Sequence, residues 1–196
     1  MRHLATIFCL TFTLIFGTAG TSHSADFDKG WKAYQTEDYA TALREWTPLA
    51  EQGDAEAQFS LGVMYEHGQG VPQDNKAAVK LYRLAAEQGV AKAQFNLGVM
   101  YHKGQGVPQD YKTAVKLYRL AAEQGFAKAQ FNLGVMYHKG QGVPQNHTHA
   151  HMWLNIARSD GYKKAAEAIK ILGKIMSPAQ IAMAQGLARE CVAKNY

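Results

Sequence analysis

A stretch of 36 residues is written three times in succession in this 196-residue chain. Residues 55–90 and 91–126 agree at 29 of 36 positions, and a third copy opens at Ala127 with AKAQFNLGVMYHKGQGVPQ before diverging after Gln145. Units of this length are supersecondary modules that cannot bury an apolar face alone and must stack on their neighbours to do so. Stacked modules present an extended surface, not an enclosed reaction centre. The first expectation is therefore a binding protein, with no catalytic residue, metal or cofactor assigned.

Each unit divides into two helices. In residues 55–90, Asp54 is a suitable N-cap for a helix ending near His67, and Gly68 supplies the left-handed residue that stops it. A loop over residues 69–73 follows, and Asp74 caps a second helix in which Ala78, Leu81, Tyr82, Ala85 and Ala86 recur at helical spacing up to Gly89. Lys76, Lys80, Arg83 and Glu87 occupy its other side. The first helix is apolar around more of its circumference, through Ala57, Phe59, Leu61, Val63, Met64 and Tyr65, as suits a helix packed between neighbours. Gly62, repeated as Gly98 and Gly134, costs about 1 kcal/mol of helix propensity, which points to a close helix crossing. Met64, Met100 and Met136 read as core packing.

The flanks read as caps. Residues 27–53 hold a shorter helix pair without the glycine loop, and Pro48 is expected to kink its second helix. Residues 150–156 give the second helix of the third unit and residues 163–176 a further helix. Ser177 and Pro178 start a closing helix that runs to about Lys194. The expected organisation is thus a pair at 26–54, units at 55–90, 91–126 and 127–162, and capping helices at 163–196.

Met1, Arg2 and His3 lead into an apolar run over residues 4–16 and then Gly17, Thr18, Ala19 and Gly20, the pattern of a secretory signal peptide assigned to residues 1–25. Small residues allow cleavage after Ala19, Ser24 or Ala25, the last two being favoured. The run is shorter than the roughly 20 residues needed to span a bilayer, so a soluble periplasmic or secreted product is expected. Cys9 follows Thr6, Ile7 and Phe8 where a lipoprotein signal needs small residues. Cleavage leaves Cys191 as the only thiol, read as buried on a stripe with Ala184, Leu187 and Ala188.

Without Arg2 the chain carries 20 basic and 16 acidic residues, near +4. This mild bias suits an acidic protein or peptide, or a cell-wall glycan, and the lack of basic clusters in an exported chain argues against nucleic acid. His147, His149 and His151 stand at alternate positions, so His147 and His151 share a helix face. Two such ligands without a third carboxylate or cysteine make a weak metal set. They read as surface histidines, the alternatives being a transition-metal site or a pH-sensitive contact. His102 and His138, one unit apart, are expected to line a surface.

Taken together, Ala57, Leu61, Gly62, Tyr65, Gly68, Gly70, Val71, Asp74, Ala78, Ala85, Ala86 and Gly89, repeated as Ala93, Leu97, Gly98, Tyr101, Gly104, Gly106, Val107, Asp110, Ala114, Ala121, Ala122 and Gly125, resemble the Sel-1-like repeat, a relative of the tetratricopeptide repeat with a longer internal loop. The third unit departs, with Asn146 for the loop aspartate and Met152 to Ala157 replacing Lys116 to Ala121. The resemblance implies an all-α, right-handed solenoid of antiparallel helix pairs whose members act as adaptors, assembly factors or signalling regulators, often in the bacterial envelope. A cysteine-rich branch of the family is associated with β-lactam binding or hydrolysis. The paired cysteines of that branch are missing here, and Ser60, Ser159 and Ser177 are not followed by lysine at the third position.

The copies also differ in a pattern. Positions 56, 60 and 67 of the first helix vary at offsets of i, i+4 and i+11, which share one helical face. That face reads Glu56, Ser60, His67, then Lys92, Asn96, Lys103, then Lys128, Asn132, Lys139, turning basic toward the C-terminus. If the first helices line a concave surface, this stripe is the expected partner-binding site for an extended acidic peptide or a glycan.

Overall fold

The computed structural model describes residues 25–194; the signal-peptide assignment and Cys9 lie outside them. Ten helices and no strands make up the described residues: α1 Phe27–Gln35, α2 Tyr39–Glu51, α3 Ala55–His67, α4 Asn75–Glu87, α5 Ala91–Lys103, α6 Tyr111–Glu123, α7 Ala127–Lys139, α8 His147–Ser159, α9 Lys164–Gly173 and α10 Pro178–Ala193. Each helix through α9 packs on its chain neighbour, so the second helix of one pair meets the first helix of the next, and α10 turns back onto α8. This is an all-α helical-repeat solenoid.

Local chemistry sets the unit. The Asp54 carboxylate accepts from the Ala57 amide at 2.7 Å, while Asp74, Asp110 and Asn146 cap α4, α6 and α8. Val90 and Phe126 stand where Asp54 does, and α5 and α7 have no side-chain cap. Their start is held by packing instead, with the Phe126 ring 5.1 Å from Phe95. Gly62 and Gly98 lie under the Tyr82 and Tyr118 rings, and Gly134 under Leu154. A Cβ at Gly62 would sit 2.7 Å from Tyr82, so the recurring glycine permits the close crossing within each pair. Gly106 and Gly142 combine positive φ angles of 70° and 71° with backbone contact to Asn75 and Tyr111 of the preceding unit. The long loop is therefore a stacking element as well as a connector.

Buried glutamines join the units. The Gln94 side chain donates to the Ala86 carbonyl of the preceding unit at 3.2 Å and accepts from Gln124 of its own unit at 2.8 Å. Gln58 repeats this with Ala50 and Gln88. In the third unit Gln130 donates to Ala122 and to Asp160. Each link satisfies a last-turn carbonyl at a helix end that would otherwise be buried without a partner.

Pro48 stands in the last turn of α2 without ending it. Other expectations change. Helix α8 begins at His147, earlier than the 150–156 segment foreseen, because Asn146 caps it. Helix α9 is confined to Lys164–Gly173, and a capping box between Ser177 and Gln180 opens α10. Cys191 is half-buried, not buried; desolvation, then the Glu123 carboxylate, raises its pKa.

Candidate binding face

The nine stripe residues fall at three depths. Glu56, Lys92 and Lys128, in the first turns of α3, α5 and α7, are exposed, as are His67, Lys103 and Lys139 at their ends. Between them Asn96 and Asn132 are half-buried and Ser60 is buried, only 7% exposed. Ser60 is therefore recessed from the stripe, beside Trp31, Tyr34 and Trp46 of the first helix pair. The helical face that holds the stripe also carries Val63, Val99 and Val135, half-buried, with Phe59, Phe95 and Phe131 alongside. The face thus has an apolar floor repeated every 36 residues and charged residues at both edges.

Under that floor lie the tyrosines of the second helices. Phe59 packs on Tyr82 and Phe95 on Tyr118, both with ring centroids 5.8 Å apart. The Tyr82 hydroxyl donates to Glu66 at 2.5 Å, and burial, followed by that carboxylate, raises its pKa. In the next unit His102 replaces Glu66. Tyr118, 1% exposed, has no hydrogen-bond acceptor for its buried hydroxyl, and burial pushes its pKa up to about 12. Glu66, His102 and His138 form a fourth varying position of the first helix, one outside the predicted stripe.

Of the three clustered histidines, read as surface residues, His151 is buried while His147 and His149 are half-buried, and each has a different partner. His151 is buried and its ring Nδ1 lies 2.7 Å from Asn155 Nδ2. His147 packs against His138 and His149 stacks on Tyr137, each with ring centroids 5.3 Å apart. Although His147 and His151 share a helix face, their rings have different partners, His138 for the first and Asn155 for the second. Among the described residues no group of three or more His, Cys, Asp or Glu is placed to hold a metal, and no helix is long and apolar enough to cross a membrane.

At the first junction the floor opens into a cavity of about 170 Å³ lined by Trp31, Tyr34, Trp46, Phe59, Ser60 and Val63. Only the local aromatic content of residues 27–46 hinted at it.

Stacked helix pairs with a continuous face of first helices define a helical-repeat interaction scaffold. The Sel1 repeat model matches residues 55–90, 91–126 and 127–162, and the chain belongs to the Sel1-repeat family, whose members are generally protein-protein interaction scaffolds and typically not catalysts. A Sel1 repeat protein from Oxalobacter formigenes is 36% identical with a TM-score of 0.71, over 74% of this chain and 60% of that one. The c5321 protein, a protective antigen of uropathogenic Escherichia coli with an SLR fold, is 27% identical with a TM-score of 0.61, over 86% of this chain and 45% of its own. The chain thus spans less than two thirds of either relative. Helicobacter pylori cysteine-rich protein B, 21% identical with a TM-score of 0.51 over 71% of this chain and 93% of that one, shares the fold. No curated protein sequence matches the chain.

Proposed function

We propose that this protein is an exported adaptor without catalysis of its own, acting in the periplasm or after secretion, which holds an extended and partly acidic segment of another protein along its first helices. The observation that carries this reading is the form of the face: a half-buried Phe and Val floor, with exposed Lys92, Lys103, Lys128 and Lys139 at its edges. An apolar floor supplies affinity through desolvation, and the lysines steer and select an acidic chain. Half-buried Asn96 and Asn132 offer amides to the backbone of such a segment.

The test is an in-cell crosslinking pull-down from the envelope fraction, comparing the unaltered protein with a variant that combines Lys92→Glu, Lys103→Glu and Lys128→Glu. The expected result is a discrete protein partner lost in the variant while its helical circular dichroism is retained. A partner captured equally by both proteins, or recovery of peptidoglycan alone, overturns the reading.

A further inference from the structure

The cavity at the first junction differs from the rest of the face in ways that point to a ligand. Trp31 is 45% exposed, although it is stacked on Tyr34 with ring centroids 5.9 Å apart and planes 16° from parallel. Its neighbours are held independently. The Tyr34 hydroxyl donates to Gln69 at 2.9 Å, and the Trp46 indole N–H donates to the Phe27 carbonyl at 3.2 Å. With both polar tips satisfied elsewhere, the walls present carbon to the cavity. Its size is close to the roughly 150 Å³ of apolar cavity that takes a benzene ring.

The junction is singular along the array. Gly30 meets Trp46 as Gly62 meets Tyr82, which sets Trp31 in register with Val63. Downstream junctions therefore have valine where the first has tryptophan, and asparagine where the first has Ser60. A rigid, partly exposed tryptophan beside a preformed apolar cavity is the usual anchor site of an interface.

Charge sets the chemistry of the occupant and its direction. Residues 26–54 carry seven acidic and three basic side chains, net −4. The following units at 55–90, 91–126 and 127–162 carry −1, +3 and +2, and residues 163–194 carry +4. The whole-chain value of +5 conceals this swing.

We propose that the cavity between α1 and α3 is the anchor pocket of the face. It takes one aromatic or leucine-sized side chain of an extended partner peptide that is basic beside the anchor and acidic where it crosses the second and third units. The proposal rests on the adaptor reading above and adds to it a specificity pocket and a polarity. Helix layers about 8–10 Å apart and about 3.3 Å per extended residue place the acidic residues roughly three to ten positions from the anchor.

Selection of random dodecapeptides displayed on phage, with the purified protein as bait, tests this. The expected winners carry Phe, Trp or Leu with Lys or Arg within two residues, and Asp or Glu farther along on one side only. A labelled synthetic winner, read by fluorescence polarisation, is expected to bind Ser60→Asn about tenfold more weakly or worse. That substitution installs the residue the other two units carry. Trp31→Ala, at a partly exposed site, is a second variant expected to lose a similar factor. Winners that bind both variants normally but fail on the combined lysine-to-glutamate protein overturn the pocket and leave the adaptor reading standing. Winners with acidic residues flanking the anchor overturn the polarity. Winners indifferent to all three variants, or no enrichment, overturn both.

Discussion

Helices α6 and α8 occupy equivalent places in consecutive units, yet one is amphipathic and the other is enclosed. Leu120 in α6 is 48% exposed and its counterpart Leu84 in α4 is 47% exposed, whereas Ile156 at the same position of α8 is 1% exposed. The neighbouring replacements follow. Met152 stands for Lys116, Trp153 for Leu117 and Asn155 for Arg119, and all three are buried in α8. The cause is α10, which lays Leu187, Ala188 and Cys191 against the cluster containing Met152, Trp153 and Ile156. Arg119, free of such a cover, instead reaches Tyr137 of the next unit at 2.8 Å. The divergence of the third copy is thus the price of ending a solenoid: the last second helix needs an apolar outer face where internal ones need a polar one.

This contrast can be broken at matched positions. Trp153→Ala is expected to cost about 3–5 kcal/mol and Ile156→Ala about 2–4 kcal/mol in urea unfolding, as buried large-to-small substitutions do. Asn155→Arg, which installs the residue of α6, forces a longer side chain into a position only 7% exposed and is expected to cost about 1–3 kcal/mol. The reciprocal changes in α6 should be small. Leu120→Ala is expected within about 0.5 kcal/mol of the unaltered protein, and Arg119→Asn within about 1 kcal/mol, since it loses one exposed inter-unit hydrogen bond. Equal costs in the two helices would refute the role given to α10.

A pH effect sharpens the same comparison. Burial, followed by Arg158, holds the pKa of His151 below its ordinary value of 6.5, so the fold favours the neutral ring. A depressed pKa contributes stability that is complete above the unfolded value and lost as the pH falls through the native one. Amide hydrogen exchange in α8 and α10 is therefore expected to quicken on acidification below about pH 6.5. His151→Val, which copies Val115 of α6, should flatten that dependence. At the opposite end, the Lys29 ammonium, 2.6 Å from the Glu45 carboxylate, and the Asp26 amide lower the pKa of Glu45. Protection of α1 is accordingly expected to fall only below the ordinary glutamate value of 4.5.

The unit itself was legible because its signals are local: a capping aspartate, a left-handed glycine and a spacing of small residues place α3 at Ala55–His67 without reference to anything distant. The stripe was found through differences between copies, and that same route hid the glutamine links, since Gln58, Gln94 and Gln130 do not vary. Ser60 was singled out correctly as different. Its surroundings include Trp31, Tyr34 and Trp46, which belong to a pair of another length whose side chains differ from those at the matching places of the repeat. The histidines were misplaced for a related reason. Their spacing describes one helix, while their environment is made by the facing helix α7, whose His138 and Tyr137 take up the His147 and His149 rings, and by a position, His151, that is valine and buried in the other units. The charge gradient was readable throughout and needed only unit-by-unit counting, which a whole-chain value does not supply.

The most direct test of the central claim is photocrosslinking in the cell envelope with a benzoylphenylalanine placed at position 96 on the first-helix face or at position 120 on the second-helix face. The expected result is a discrete protein adduct from position 96 and none from position 120. An adduct from position 120 alone would show that the partner rides the second helices, and would contradict the assignment of the first-helix face as the binding surface.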